Sequence, residues 1–213
     1  MAKILKASIT FWLIAANFFA FLVLLAVSFK NPNAMIAVAI QPSSILHGKY
    51  LWTLITSMFM HGSPTHLFVN MLSLLFLGSF LERILGRKRF FWFYMIAGIF
   101  AALFFVAIAA MTGIDLDAYA VGASGAIFGI GGLLAVLTPK LPVYIMFIPI
   151  AMPMWFGIAL SLAVMWLVSA FAGLPIGNTA HLGGLIAGLV YGFYLRRRYP
   201  RRIKLLNRFL GFR

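Results

Sequence analysis

The sequence predicts an all-α integral membrane protein: a bundle of six transmembrane helices with a long, partly membrane-embedded first outer loop. Composition is the first reason. Of 213 residues, 64% are hydrophobic and only 9% charged, where an ordinary soluble domain carries about a quarter charged residues. Length is the second: several apolar runs reach the roughly 20 residues that a spanning helix needs. The third is charge placement, because the basic residues gather at the ends of those runs, where topology is set.

The first span is expected over 9–29, the second over His66–Leu85 and the third over Phe90–Thr112. A fourth, short one runs over Ser124–Leu137, a fifth over Val143–Ala172 and a sixth over Thr179–Leu195, and a basic tail fills 196–213. Lys3 and Lys6 ahead of the first run would also suit a signal peptide, but its apolar length favours a retained span. Between the first and second spans, 30–65 is long for an unstructured connection. Its Leu51–Met60 piece is apolar yet too short to cross, so it is expected to lie at the interface or dip in from outside, with Trp52 at headgroup level. No soluble domain, low-complexity linker or internal repeat is visible, so residues 1–213 are expected to form a single membrane domain with a short basic cytoplasmic tail.

Six spans put both termini on one side. That side receives 15 basic residues and the other only two, Lys30 and Lys49, which assigns the termini to the cytoplasm of a multi-pass cell-membrane protein. The net charge of +14 is thereby explained by the lipid bilayer and its anionic inner leaflet, with no nucleic acid required. No cysteine is present, which excludes disulfides, thiolate metal sites and a cysteine nucleophile.

Polar side chains at membrane depth are costly unless paired, and they mark interior or functional positions. His66 and Asn70, four apart on the second span, share one helical face, and His61 precedes them. Two donors on one face could stabilise a developing oxyanion, but taken alone the pair reads first as a hydrogen-bonded pair joining two helices. Gly122-Ala123-Ser124-Gly125 opens the fourth span and places Ser124 at a helix N-terminus, where free N–H groups favour an anion. The same block reads as an N-cap serine on a small-residue packing face. From Ser124 to Leu137 is 14 residues, about 21 Å of helix against a hydrocarbon core of about 30 Å. Ser124 would then lie roughly 10 Å below the outer boundary, with 115–123 descending to it. The sixth span opens with Ala180-His181, and Gly184, Gly188 and Gly192 recur on one face, matched by Gly125, Gly129 and Gly132 on the fourth. Two glycine faces allow close approach. Ser124 and His181 then stand near the outer ends of adjacent helices.

Three blocks, taken in order, resemble the signature of the rhomboid proteases: His61-x4-His66-x3-Asn70, the Gly-Ala-Ser-Gly-Ala-Ile-Phe-Gly run at 122–129, and Ala180-His181 followed by Gly184 and Gly188. The resemblance covers nearly the whole chain and implies a six-span rhomboid-like bundle. It implies a serine endopeptidase in which Ser124 is the nucleophile and His181 the base, without an acid as third member. It assigns the oxyanion hole to His66, Asn70 and the Ser124 backbone N–H. His61, Gly122, Gly125, Phe128 and Gly184 become supporting residues, with no metal and no cofactor. The partners implied are transmembrane protein substrates. Relatives often carry Trp-Arg in the first loop, where this chain has Trp52-Thr53, and some carry Tyr at the position of Phe128. The first departure bears on the loop's lipid contacts, and the second removes a hydroxyl beside the imidazole. The family reading also makes the fifth span a lateral gate, its start carrying Pro142, Pro149 and Pro153 with Met146, Met152 and Met154.

Three rivals make different predictions. A rhomboid-like binder without activity usually lacks the serine or the histidine, and both are present here. A channel using His66 and Asn70 would leave the Gly-Ala-Ser-Gly block unexplained. A metalloprotease lacks its ligands, since there is no His-Glu-x-x-His and the only acid in a span is Glu82.

Overall fold

A computed structural model describes residues 8–31, 33–145, 148–172 and 177–212. Lys3, Lys6 and Arg213 of the charge count, and Met146 of the gate, lie outside the described residues. Helix α1 spans Ile9–Ser28, capped where Ser8 Oγ accepts the Phe11 N–H. The first connection holds two short helices, α2 (Pro42–Leu46) and α3 (Thr53–Thr56), and a 3-10 turn at Ser57–Phe59. Then come α4 (Pro64–Ser73), one wider turn with i→i+5 hydrogen bonding at Leu74–Gly78, and α5 (Ser79–Leu85), which together make the second span. Ser63 caps α4 and Pro64 occupies its first turn, the pairing that starts helices most readily. After α6 (Arg87–Thr112), Gly113 in the left-handed conformation ends the helix. The order closes with α7 (Ser124–Leu137), a β1–β2 hairpin, α8 (Met154–Ala172), α9 (Asn178–Arg198) and α10 (Pro200–Phe209).

Among the described residues, four helices are long and apolar enough to cross a membrane: Ile9–Ser28, Pro64–Leu85, Arg87–Thr112 and Met154–Phe171. Helix α7 is shorter, and α9 is 21 residues long with three arginines in its last turn. This is a helical membrane protein, and six crossings are compatible with it. Helix α7 occupies the centre, with Gly125–Leu134, Val136 and Leu137 all buried, packed against α6, α8 and α9. Outward-facing Phe19 and Phe171 are 70% and 88% exposed, which suits lipid as the surrounding solvent.

The structure corrects the fifth span. Its first residues form an antiparallel hairpin, β1 (Pro142–Ile145) and β2 (Ile148–Pro153), with Pro142 opposite Pro153 and Ile145 opposite Ile148; the helix starts only at Met154. A short apolar run does not distinguish strand from helix by pattern. Both prolines lack an N–H, and they stand opposite each other where the ladder ends. The hairpin follows the C-terminal end of α7, so Pro142, Pro153, Met152 and Met154 lie at the end of the bundle remote from Ser124. The tail is also more ordered than a basic extension: Arg196–Arg198 belong to α9 and Pro200 starts α10.

Glu82 is buried, and its carboxyl oxygens accept the Ile9 N–H (2.8 Å), the Thr10 N–H (2.9 Å) and the Thr10 hydroxyl (2.7 Å). The two N–H groups are orphan donors at the start of α1, where an acidic group is favoured. Glu82→Ala is expected to lower stability by about 3 kcal/mol, measured as an earlier thermal transition in detergent. An unchanged transition would show that the clamp carries no stability.

At the opposite end the loops are tied together. Ile40 and Ala120 exchange backbone hydrogen bonds, Leu116 O accepts the Ser43 N–H, and Ser57 O accepts the Gly122 N–H at 2.8 Å. The Leu51–Met60 piece lies along α6 with Met58 buried against Gly98, while Leu51, Trp52 and Ile55 face outward. Trp52 Nε1 donates to Ala37 O, and Thr53, fully buried, donates its hydroxyl to Tyr50 O.

Candidate active site

Ser124 is the first residue of α7, so its N–H is one of the donors that a helix leaves unmatched. The approach to it is set by Gly122, whose φ of +126° is a conformation that L side chains rarely adopt. A Cβ at Gly122 would sit 2.9 Å from His66 Nε2 and Cε1 and 3.6 Å from Ser124 Oγ. The imidazole of His66, the bare glycine and the serine hydroxyl therefore flank one point.

His181 stands in the first turn of α9, and its Nε2 lies 2.7 Å from Ser124 Oγ. The ring is stacked on Phe128, one turn below Ser124, with centroids 4.7 Å apart and planes 19° from parallel. This fixes the imidazole by packing, without the hydroxyl that a tyrosine would bring. Nδ1 of His181 has no hydrogen-bond partner among the described residues. The acids are elsewhere: Asp117 accepts the Ser43 hydroxyl, Glu82 clamps α1, and Asp115 is exposed in the connection before α7.

The close approach of α7 and α9 depends on glycine. A Cβ at Gly184 would collide with the Gly125 carbonyl, and one at Gly188 with the Gly129 carbonyl. Gly125 itself faces α6, where a Cβ would come within 2.8 Å of Ala101 Cβ.

Asn70 lies one turn below His66 on α4 and is buried; its amide donates to the His66 carbonyl at 2.8 Å, and its Oδ1 has no partner among the described residues. His61 is buried edge-to-face against His66, with ring centroids 5.0 Å apart. Burial, with the neighbouring His66 adding to it, holds the His61 pKa down at about 4. Its contact with His66 is one of ring packing, and neither of its ring nitrogens has a hydrogen-bond partner among the described residues. The Ser57 carbonyl, which accepts the Gly122 N–H, was not foreseeable, because a backbone acceptor leaves no mark on residue type.

All nine residues singled out from the sequence are thus described, and Ser124, His181, His66, Gly122 and Phe128 converge on one spot. The family model for the Rhomboid domain matches residues 48–198, from just before α3 to the end of α9. The chain belongs to the rhomboid family. It is 35% identical over 175 residues to RHOMBOID-like protein 1 of Arabidopsis thaliana, covering 76% of this chain and 42% of that protein. It is 31% identical over 153 residues to Rhomboid protein 1, mitochondrial, of Saccharomyces cerevisiae, covering 70% and 43%. With Rhomboid protease GluP of Bacillus subtilis it shares 29% over 166 residues, covering 74% and 29%. The chain spans less than half the length of each of these rhomboid relatives.

Proposed function

We propose that this rhomboid is an intramembrane serine endopeptidase that cleaves transmembrane segments near the outer face of the membrane by a Ser124–His181 dyad. The observation that carries the reading is the 2.7 Å contact between His181 Nε2 and Ser124 Oγ at the mouth of two glycine-packed helices. Neutral His181 takes the serine proton as Oγ attacks the scissile carbonyl, then returns it to the leaving amine. The oxyanion is held by the Ser124 N–H, His66 and Asn70; one such donor is worth about 3 kcal/mol in other hydrolases. Water then hydrolyses the acyl-enzyme, restoring the serine.

The substrate class follows from the same geometry. An intact helix hides its carbonyls, so a substrate must unwind near its outer end, and a site walled by glycine and alanine favours a small residue before the scissile bond. The 15-to-2 asymmetry of basic residues supports a cell-membrane location with both termini in the cytoplasm and the dyad toward the outer side.

A fluorophosphonate probe is expected to label the wild-type protein and not Ser124→Ala, and only the wild type should cleave a reporter transmembrane substrate. Equal labelling, or equal cleavage, in Ser124→Ala would sink the assignment.

A further inference from the structure

At the end of the bundle remote from Ser124, α10 folds back under α7. The Asn207 amide donates to the Leu137 carbonyl at 2.7 Å, satisfying an acceptor that the last residue of α7 would otherwise leave open. A cavity of about 1100 Å3 lies between α10, the end of α9 and the turn after α7. Its volume is at the upper end of ligand pockets, which run to about 1000 Å3, and far exceeds what one small anion needs.

Lys140, Arg196, Lys204 and Arg208 line this cavity, four cations from three separate parts of the chain, and no Asp or Glu is among its lining residues. Val136 and Ile203 supply apolar wall on the same cavity. On α10, Lys204 and Arg208 are one turn apart and share a face. Leu205 and Phe209, also one turn apart, are 62% and 89% exposed. A basic face beside an exposed Leu/Phe ridge is the pattern of a helix lying in the membrane interface, its apolar side chains among acyl chains.

We infer that this cavity binds the phosphate headgroup of an anionic glycerophospholipid. The four cations hold the phosphate, and the acyl chains run along Val136 and the Leu205–Phe209 ridge. Basic pockets at helix ends bind such headgroups by this combination of charge and apolar wall. A free anion would use the charges and leave the wall empty. Because α10 is fastened to the last carbonyl of α7, the lipid would sit on the far end of the helix that carries Ser124.

The test uses the purified 213-residue protein in phosphatidylcholine nanodiscs containing a minor fraction of phosphatidylglycerol. Lipid retention is read by native mass spectrometry. Wild type is expected to retain phosphatidylglycerol, and R196Q/K204Q/R208Q to weaken retention on the order of 100-fold. The charge-matched R197Q/R198Q/R201Q, whose residues do not line the cavity, is expected to retain it. Equal weakening in both variants would mean diffuse surface attraction and would overturn the site. So would displacement of the lipid by millimolar inorganic phosphate, or no preference for the anionic lipid in the wild type. Independently of any variant's folding, a photoreactive phosphatidylglycerol should crosslink the wild type within 136–140 and 196–212; crosslinks confined elsewhere would refute it.

Discussion

Ser124→Ala and His181→Ala are each expected to slow peptide cleavage by about 10^4-fold or more, a loss of at least about 5 kcal/mol of transition-state stabilisation. The double variant is expected to be no slower than the worse single variant. Under the proposed mechanism Oγ is activated only by giving its proton to Nε2, 2.7 Å away, so removing either partner removes the same step. Residues that act as one unit are strongly non-additive in rate. Under that mechanism, positioning and the oxyanion donors remain in all three variants. Single-turnover cleavage of a reporter substrate by the three variants checks this. If the losses multiplied, the two side chains would be acting separately, and the dyad reading would fail.

Gly184→Ala is expected to lose both stability and rate although it touches no reacting atom. Its methyl group would collide with the Gly125 carbonyl, which is backbone and cannot rotate away. The helices must separate, and over-packing of this kind costs about 3 kcal/mol. Gly184 is three residues after His181, and Gly125 directly follows Ser124, so the separation opens where the dyad closes. A displacement of about 1 Å in such a pair costs on the order of 100-fold in rate. Thermal unfolding and cleavage rate in detergent measure both effects. Gly62→Ala is the matched control, since nothing lies within 4 Å of a Cβ there, and it should unfold like the wild type. Wild-type stability and rate in Gly184→Ala would mean that α7 and α9 do not meet as described.

Much of the architecture was legible because lipid makes both polar and short elements conspicuous. Helix α7 begins and ends where the apolar run does, at Ser124 and Leu137. The second, third and sixth spans differ from expectation by a few residues at their ends, where helices gain a cap or an extra basic turn. The β1–β2 hairpin was not legible, because a continuous apolar stretch satisfies strand and helix alike. Nor was α10, whose eventual face depends on Asn207 finding the Leu137 carbonyl 70 residues away. At the site, residue types in costly positions exposed His66, Asn70, Ser124 and His181. The sequence could not tell that His66 leans over Gly122, or that the Asn70 amide turns back to its own helix. Those depend on how α4 meets the chain before α7, which no local pattern encodes.

The clamp at Glu82 also bears on how the chain is made. It joins residues 72 and 73 positions apart, all translated before α6 begins. The first two long helices can therefore lock as a hairpin while the ribosome is still extending the chain. Ser124 emerges later, and its partner follows only after another 57 residues. Under the proposed mechanism the nascent protein carries an idle serine through insertion. It acquires the power to cut neighbouring proteins only when α9 docks on α7.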